Sequence, residues 1–442
     1  MRYFLFCAVL LTALNGGLCP AGGNAGKSGG EKWYGSDSRR AKLRFSSYAL
    51  YKVPETYKGP VSRLLDDPEQ TGEITAVVER QLQHMYGAFT THPYFSENPG
   101  IPSENQVLKL VSAEKVPNEP YARINYSYEN TAVFAKSVFS GGAREIRFVL
   151  PKDPAAIYSK GFARGGSGKN LCTDEHYNGE DDFWYFWNPY MDGCPIERSD
   201  LAAITAEMRP MNSTRETYPE YGKLYSGETI KAVYLVGIDE NFRNGDLGRS
   251  TFREALEGLE KAGFRVTAGE PRRKLLSLRT ENFRFSLDLR LVDPASPEFS
   301  RLAADAMKNS DIFLYDGHSG LGAYLDPARL AEDTGRELSL PRDRYQIFFF
   351  NGCSTFAYYN GAFFKLKRTD TDKRGTGNLD IITTGIGADF AVGAKADLAF
   401  LRALAGGRRP SWQEIMNEIR AAEGETSSLT HINGDEDNPG RP

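Results

Sequence analysis

A chain of 442 residues that is 40% hydrophobic and 25% charged carries enough apolar side chains for two or three packed domains, which excludes an intrinsically disordered protein. Its 54 basic and 58 acidic side chains are mixed along the sequence for a formal charge of −4. No basic block could condense on phosphates, so nucleic acid is not an expected partner.

The chain opens on Arg2, an apolar segment from Tyr3 to Leu14, and a small-x-small site at Gly23-Asn24-Ala25, so residues 1–25 read as a signal peptide. That segment is too short to span a bilayer as a helix, and no later segment is long and apolar enough, so the mature chain is expected without an integral membrane segment. The expected location is secreted or periplasmic. Cys19 offers a lipid-anchored alternative, disfavoured by the bulky Leu18 before it.

Removing the leader leaves Cys172, Cys194 and Cys353, one possible pair and one odd thiol. In an oxidising compartment Cys172 and Cys194 would close a loop worth roughly 3 kcal/mol on the chain-entropy model. An unpaired Cys353 then needs a chemical reason.

Residues 26–40, rich in Gly, Ser and charge, read as a flexible linker. Residues 41–160 read as a small α+β domain. Ile74, Val77, Val78, Leu82 and Met85 form a helical stripe, followed by strands at Gln106 to Val111, Tyr121 to Tyr128, Ala132 to Phe139 and Glu145 to Leu150. Ser140-Gly-Gly-Ala is expected to turn a hairpin between the last two.

Residues 161–227 form an aromatic-rich insertion with six aromatics from Phe183 to Tyr190. It admits a substrate-facing aromatic platform, a metal site of Cys172, His176 and Cys194, or a disulfide-stapled loop whose rings cover a neighbouring sheet. Structural zinc normally takes four Cys or His ligands, and export favours the disulfide, so no metal is expected.

From residue 228 strands and helices alternate, the signature of a parallel sheet with crossover helices. Ile230 to Ile238 is an apolar strand, and Thr251-Phe-Arg-Glu254 fits a capping box opening a helix that stops at Gly263. Phe264 to Thr267 and Phe283 to Val292 are extended, and Ser296-Pro297 caps the next helix. Two continuous apolar runs follow, Ile-Phe-Leu-Tyr-Asp316-Gly-His318-Ser-Gly320 and Ile-Phe-Phe-Phe-Asn-Gly352-Cys353. Such runs suit strands covered on both faces, with ligands beyond their carboxyl ends. A histidine and a cysteine are thus expected at neighbouring strand ends, equipment for acyl transfer. Leu379 to Thr383 is a further strand, Ala394 to Leu404 and Trp412 to Ile419 are closing helices, and 422–442 reads as a loose polar tail.

The pattern of a hydrophobic strand ending in Gly-His318, then a second ending in a short turn with Cys353, resembles the caspase-like cysteine peptidases, nearest to the gingipain-type group. The resemblance covers roughly 228–421. It implies an α/β fold with a mostly parallel sheet and helices on both faces, preceded by the smaller α+β domain. It implies an exported endopeptidase acting on a polypeptide substrate without a cofactor, with Cys353 attacking the scissile carbonyl and His318 polarising or protonating the departing amine. Backbone N–H groups around Gly320 and Gly352-Cys353 would hold the oxyanion. Ser319 departs from the group, which usually has glycine directly after the histidine.

Specificity for a basic side chain would need a pocket acid, for which Asp389, Asp316 and Asp239 all stand at expected strand ends. The ordinary alternative for each is a turn carboxylate bonded to backbone amides. Two further readings stay open: a catalytically inactive relative that recognises protein or glycan, and a metal-containing exported binding protein.

Overall fold

The computed structural model describes residues 34–163, 169–173, 179–213, 216–280 and 283–442. The expected signal peptide and His176 lie outside them. The described residues belong to one compact unit, and among them no helix is long and apolar enough to cross a membrane.

Fourteen strands occur among the described residues. In chain order they are Tyr34–Gly35 (β1), Ser38–Lys52 (β2), Gly100–Lys115 (β3), Tyr121–Ala135 (β4), Glu145–Pro151 (β5), Leu201–Pro210 (β6) and Thr229–Gly237 (β7). Arg265–Glu270 (β8), Arg273–Arg279 (β9), Arg284–Val292 (β10), Ile312–Asp316 (β11), Gln346–Asn351 (β12), Leu379–Thr383 (β13) and His431–Asn433 (β14) complete the set. They build an antiparallel sheet in the order β3-β4-β2-β6-β5 and a mixed sheet in the order β1-β14-β13-β12-β11-β7-β10-β9-β8.

The centre of the mixed sheet is parallel: β10, β7, β11, β12 and β13 pair side by side in one direction. Their sequence explains it. In β11 and β12 every residue is buried, and alternate side chains enter two different cores. Ile312, Leu314, Ile347 and Phe349 join the helices Leu247–Lys261, Phe390–Ala405 and Trp412–Glu423. Phe313, Tyr315, Phe348 and Phe350 join Pro297–Asn309 and Thr355–Lys367 on the opposite face. Each such side chain contributes roughly 1.5–3 kcal/mol by leaving water, so both faces stay covered. Chain progression reverses between β7 and β11: β10 lies outside β7, whereas β11, β12 and β13 run the other way. In open α/β sheets the crevice at such a reversal is where ligands sit.

The smaller sheet buries Leu43, Phe45, Ile124, Tyr126, Phe148 and Ile204 against Ile74, Val78, Leu82 and Phe89. Its opposite face carries Ile101 and Val133 onto Phe356, Ala357 and Leu429, so it supports the helix that follows Cys353.

Several expectations are corrected. The described part of the expected linker lies largely in strands, since β2 begins at Ser38 and buries Ala41, Leu43 and Phe45 in alternation. No hairpin turns at Ser140-Gly-Gly-Ala: Tyr121–Ala135 is one strand already flanked by β2 and β3, and β5 pairs with β6 instead. That pairing places part of the expected insertion, Leu201–Pro210, inside the smaller sheet. The helix expected to open at Thr251 begins at Leu247, because Asp246 caps it by accepting from Arg249 N, and Thr251 Oγ1 bonds back to Leu247 O.

The tail is not loose. His431–Asn433 pairs antiparallel with β13, and Asn433 Nδ2 donates to Ile381 O at 3.1 Å and Thr383 Oγ1 at 3.0 Å. Thr217 Oγ1 donates to buried Asp435 at 2.8 Å, and Asn438 Nδ2 donates to Asp380 at 2.5 Å. Polar residues read as solvated here satisfy one another in the interior.

Candidate active site

Three strand ends build the site. Asp239 follows β7, His318 follows β11 and Cys353 follows β12, so all three leave the same carboxyl edge, around the reversal between β7 and β11. The His318 and Cys353 turns are locked together through the backbone. Gly317 N donates to Asn351 O at 3.1 Å. A Cβ on Gly352 would stand 2.6 Å from Gly317 O, a separation only glycine permits.

His318 Nε2 lies 2.8 Å from Asp239 Oδ1. Asp239 was a candidate for the specificity pocket. The structure gives its carboxylate another occupation, accepting from the imidazole and leaving Nδ1 as the free ring nitrogen. Tyr315 Oη donates to His318 O at 2.6 Å, and Tyr359 Oη donates to Ser319 O at 3.2 Å, so two tyrosines fix the turn that carries the histidine. The Phe390 ring meets the His318 ring edge-on at 5.2 Å.

Cys353 is the only free cysteine among the described residues and is partly exposed. Burial pushes its thiol pKa up, opposed by hydrogen bonding from the Ala388 backbone. Ala388 and Phe390 lie two residues apart, so the segment entering the helix Phe390–Ala405 meets both the sulfur and the imidazole ring.

Gly320 has φ +58, whereas Ser319 has no positive φ. The left-handed stretch runs through Gly320, Leu321 and Gly322 (φ 58, 54 and 90) and begins after Ser319, whose own backbone needs no glycine. Neither Gly320 N nor Cys353 N donates a backbone hydrogen bond among the described residues.

The remaining pocket candidates separate. Asp316 is corrected: it is 3% exposed and, by strand alternation, faces the same core as Ile312 and Leu314. There it stands beside Gly393, Asp397 and Tyr234, and burial together with Asp397 raises its pKa well above the carboxylate range. Such an acid holds its proton and offers no charge to a substrate. Asp389 is exposed and caps the helix Phe390–Ala405, accepting from Ala391 N at 2.8 Å.

The insertion holds a disulfide between Cys172 and Cys194, so neither sulfur is a free thiolate for a metal. Phe183, Trp184, Tyr185 and Trp187 are buried, which corrects the reading of an open aromatic platform. Phe183 and Trp187 meet the His84 ring edge-on at 5.2 and 5.1 Å. Tyr185 reaches the turn that carries Cys353, its hydroxyl 2.6 Å from Ser354 Oγ. Sequence reasoning missed this contact and the tyrosine braces on the His318 turn, because neither spacing nor composition signals them.

No protein-family model matches the chain, and no curated protein matches it in sequence.

Proposed function

We propose that the chain is an exported, caspase-like cysteine endopeptidase, nearest to the gingipain type, in which Cys353 is the nucleophile, His318 the acid-base partner and Asp239 the carboxylate that orients the imidazole. The observation that carries this reading is the 2.8 Å hydrogen bond from His318 to Asp239 across the sheet reversal, beside the turn of the one free cysteine among the described residues. Asp239 accepts from Nε2–H, so Nδ1 takes the thiol proton as sulfur bonds to the scissile carbonyl carbon. The oxyanion settles on the N–H groups of Cys353 and Gly320. The proton then passes to the departing amine, and water hydrolyses the thioester, restoring the thiol. Asp389, neither buried nor engaged by the imidazole, is the acid left to receive a basic substrate side chain. The disulfide supports an oxidising compartment.

The second reading is a catalytically inactive relative. Burial raises the Cys353 thiol rather than activating it.

Incubating the protein with a mixed peptide library and reading cleavage by mass spectrometry separates the two. The peptidase reading expects cleavage that disappears in Cys353→Ala and in His318→Ala. Cleavage that survives in Cys353→Ala, or no cleavage by the parent at any pH from 5 to 9, sinks it.

A further inference from the structure

The residue after the nucleophile is held in an uncommon conformation. Ser354 has φ 55 and ψ 31, left-handed for a residue with a Cβ, and directly precedes the helix Thr355–Lys367. This conformation turns the chain from the end of β12 into the helix and so sets the direction in which Cys353 leaves the sheet. A sparsely populated backbone state persists only where its surroundings over-determine it. At Ser354 two contacts do so. Its N–H donates to Ile386 O at 3.1 Å, and its hydroxyl shares a 2.6 Å hydrogen bond with Tyr185.

That second contact arrives from a distant part of the chain. Tyr185 and Ser354 are 4% and 3% exposed, so no water competes for the bond. Tyr185 lies inside the loop closed by the Cys172–Cys194 disulfide, where Asn188 N donates to Cys172 O at 2.8 Å. The buried Trp187, two residues on, anchors the same loop: Thr91 Oγ1 donates to its carbonyl at 2.9 Å. The Tyr185 ring lies 6.0 Å from Tyr86, which stacks on Tyr358 at 6.1 Å, one helical turn beyond Ser354. The loop is thus braced at its base, and its tip bears on the nucleophile turn.

We infer that Tyr185 is a positioning residue for Cys353, its hydroxyl holding Ser354 in the left-handed state that sets where the thiol and the Cys353 N–H stand beyond the carboxyl end of β12. Its effect on hydrolysis rests on the peptidase reading; its effect on thiol presentation does not. Tyr185→Phe removes only the hydroxyl, and Ser354→Ala removes the same bond from the other side. Ser354→Gly supplies a residue that adopts the conformation without help.

The test measures the rate of Cys353 alkylation by iodoacetamide, read by peptide mass mapping, beside kcat and KM on a cleaved peptide. Tyr185→Phe and Ser354→Ala each lower alkylation about five-fold, the loss of one neutral hydrogen bond. Both lower kcat with KM unchanged. Adding Tyr185→Phe to Ser354→Gly changes nothing further, because the hydroxyl no longer has a conformation to enforce. A general loss of packing would add equally in both backgrounds. Parent-like alkylation in folded Tyr185→Phe and Ser354→Ala overturns the inference, as does an undiminished effect of Tyr185→Phe on Ser354→Gly. If the alkylation pattern appears while the parent cleaves no peptide, the inference stands and the peptidase reading fails.

Discussion

His318 and Asp239 share a hydrogen bond of 2.8 Å although they lie 79 positions apart. They meet because β7 and β11 are neighbours in the sheet, with Leu235 opposite Tyr315 and Val236 opposite Asp316. The side chains are 45% and 29% exposed, so the pair stabilises the fold by no more than about 1 kcal/mol. Its value lies in fixing which ring nitrogen carries the proton.

Asp239→Asn should therefore separate chemistry from stability. Peptide hydrolysis falls roughly 10²- to 10⁴-fold, the range for misdirected acid-base catalysis, while the thermal midpoint barely moves. Parallel activity and melting measurements decide it. A melting shift with intact turnover would make Asp239 merely structural.

The Cys172–Cys194 bridge closes a loop of 22 positions, and removing it in Cys172→Ala/Cys194→Ala should cost roughly 3 kcal/mol. Urea titration measures this as a lowered midpoint. An unchanged midpoint would mean that the loop's buried Phe183 and Trp187 hold it without the staple.

Asp397 gives a signed pH dependence. Burial pushes its pKa up to about 7 in the folded chain, against about 3.9 when unfolded. Because the folded form binds the proton more tightly, this contribution is complete below the unfolded value and is lost as pH rises through about 7. Asp397→Asn removes that loss, so its melting temperature relative to the parent should rise between pH 5 and pH 8. His84 and His431, pushed down by burial to about 4 and about 3, act in the opposite sense as pH falls below the usual imidazole range. They are common to both proteins and cancel in the difference. A flat difference across that range would contradict the buried acid pair of Asp316 and Asp397.

Deleting residues 422–442 tests the reassigned tail. It strips His431 from Thr383 and Asn438 from buried Asp380, leaving buried polar groups unsatisfied at a cost of at least about 2 kcal/mol. The truncated chain should melt at a lower temperature and lose near-ultraviolet circular dichroism. A parent-like melt would restore the reading of a loose terminus.

Much of the architecture is legible locally. Ser296 caps Pro297–Asn309 by accepting from Phe299 N, and Ser411 with Glu414 forms a full capping box on Trp412–Glu423. Signals of this kind lie within four residues of one another. The strands β2 and β6 are different, because their partners are remote and their pairing depends on which edges remain open. Helix Leu247–Lys261 shows a weaker failure: the capping-box pattern at Thr251 lies inside the helix, and Asp246 is the residue that caps it.

The amino-acid sequence by itself determined that two buried strands end in turns carrying His318 and Cys353, because unbroken apolar runs and small-residue turns are local properties. It also singled out Cys353 as the odd thiol. Only the tertiary structure decided what each carboxylate does. Strand order put Asp239 against His318, alternation along β11 sent Asp316 into the core beside Asp397, and a helix start left Asp389 exposed at its cap. The physical reason is that a side chain's chemistry is set by neighbours distant in sequence, through burial and hydrogen bonds that no local pattern encodes.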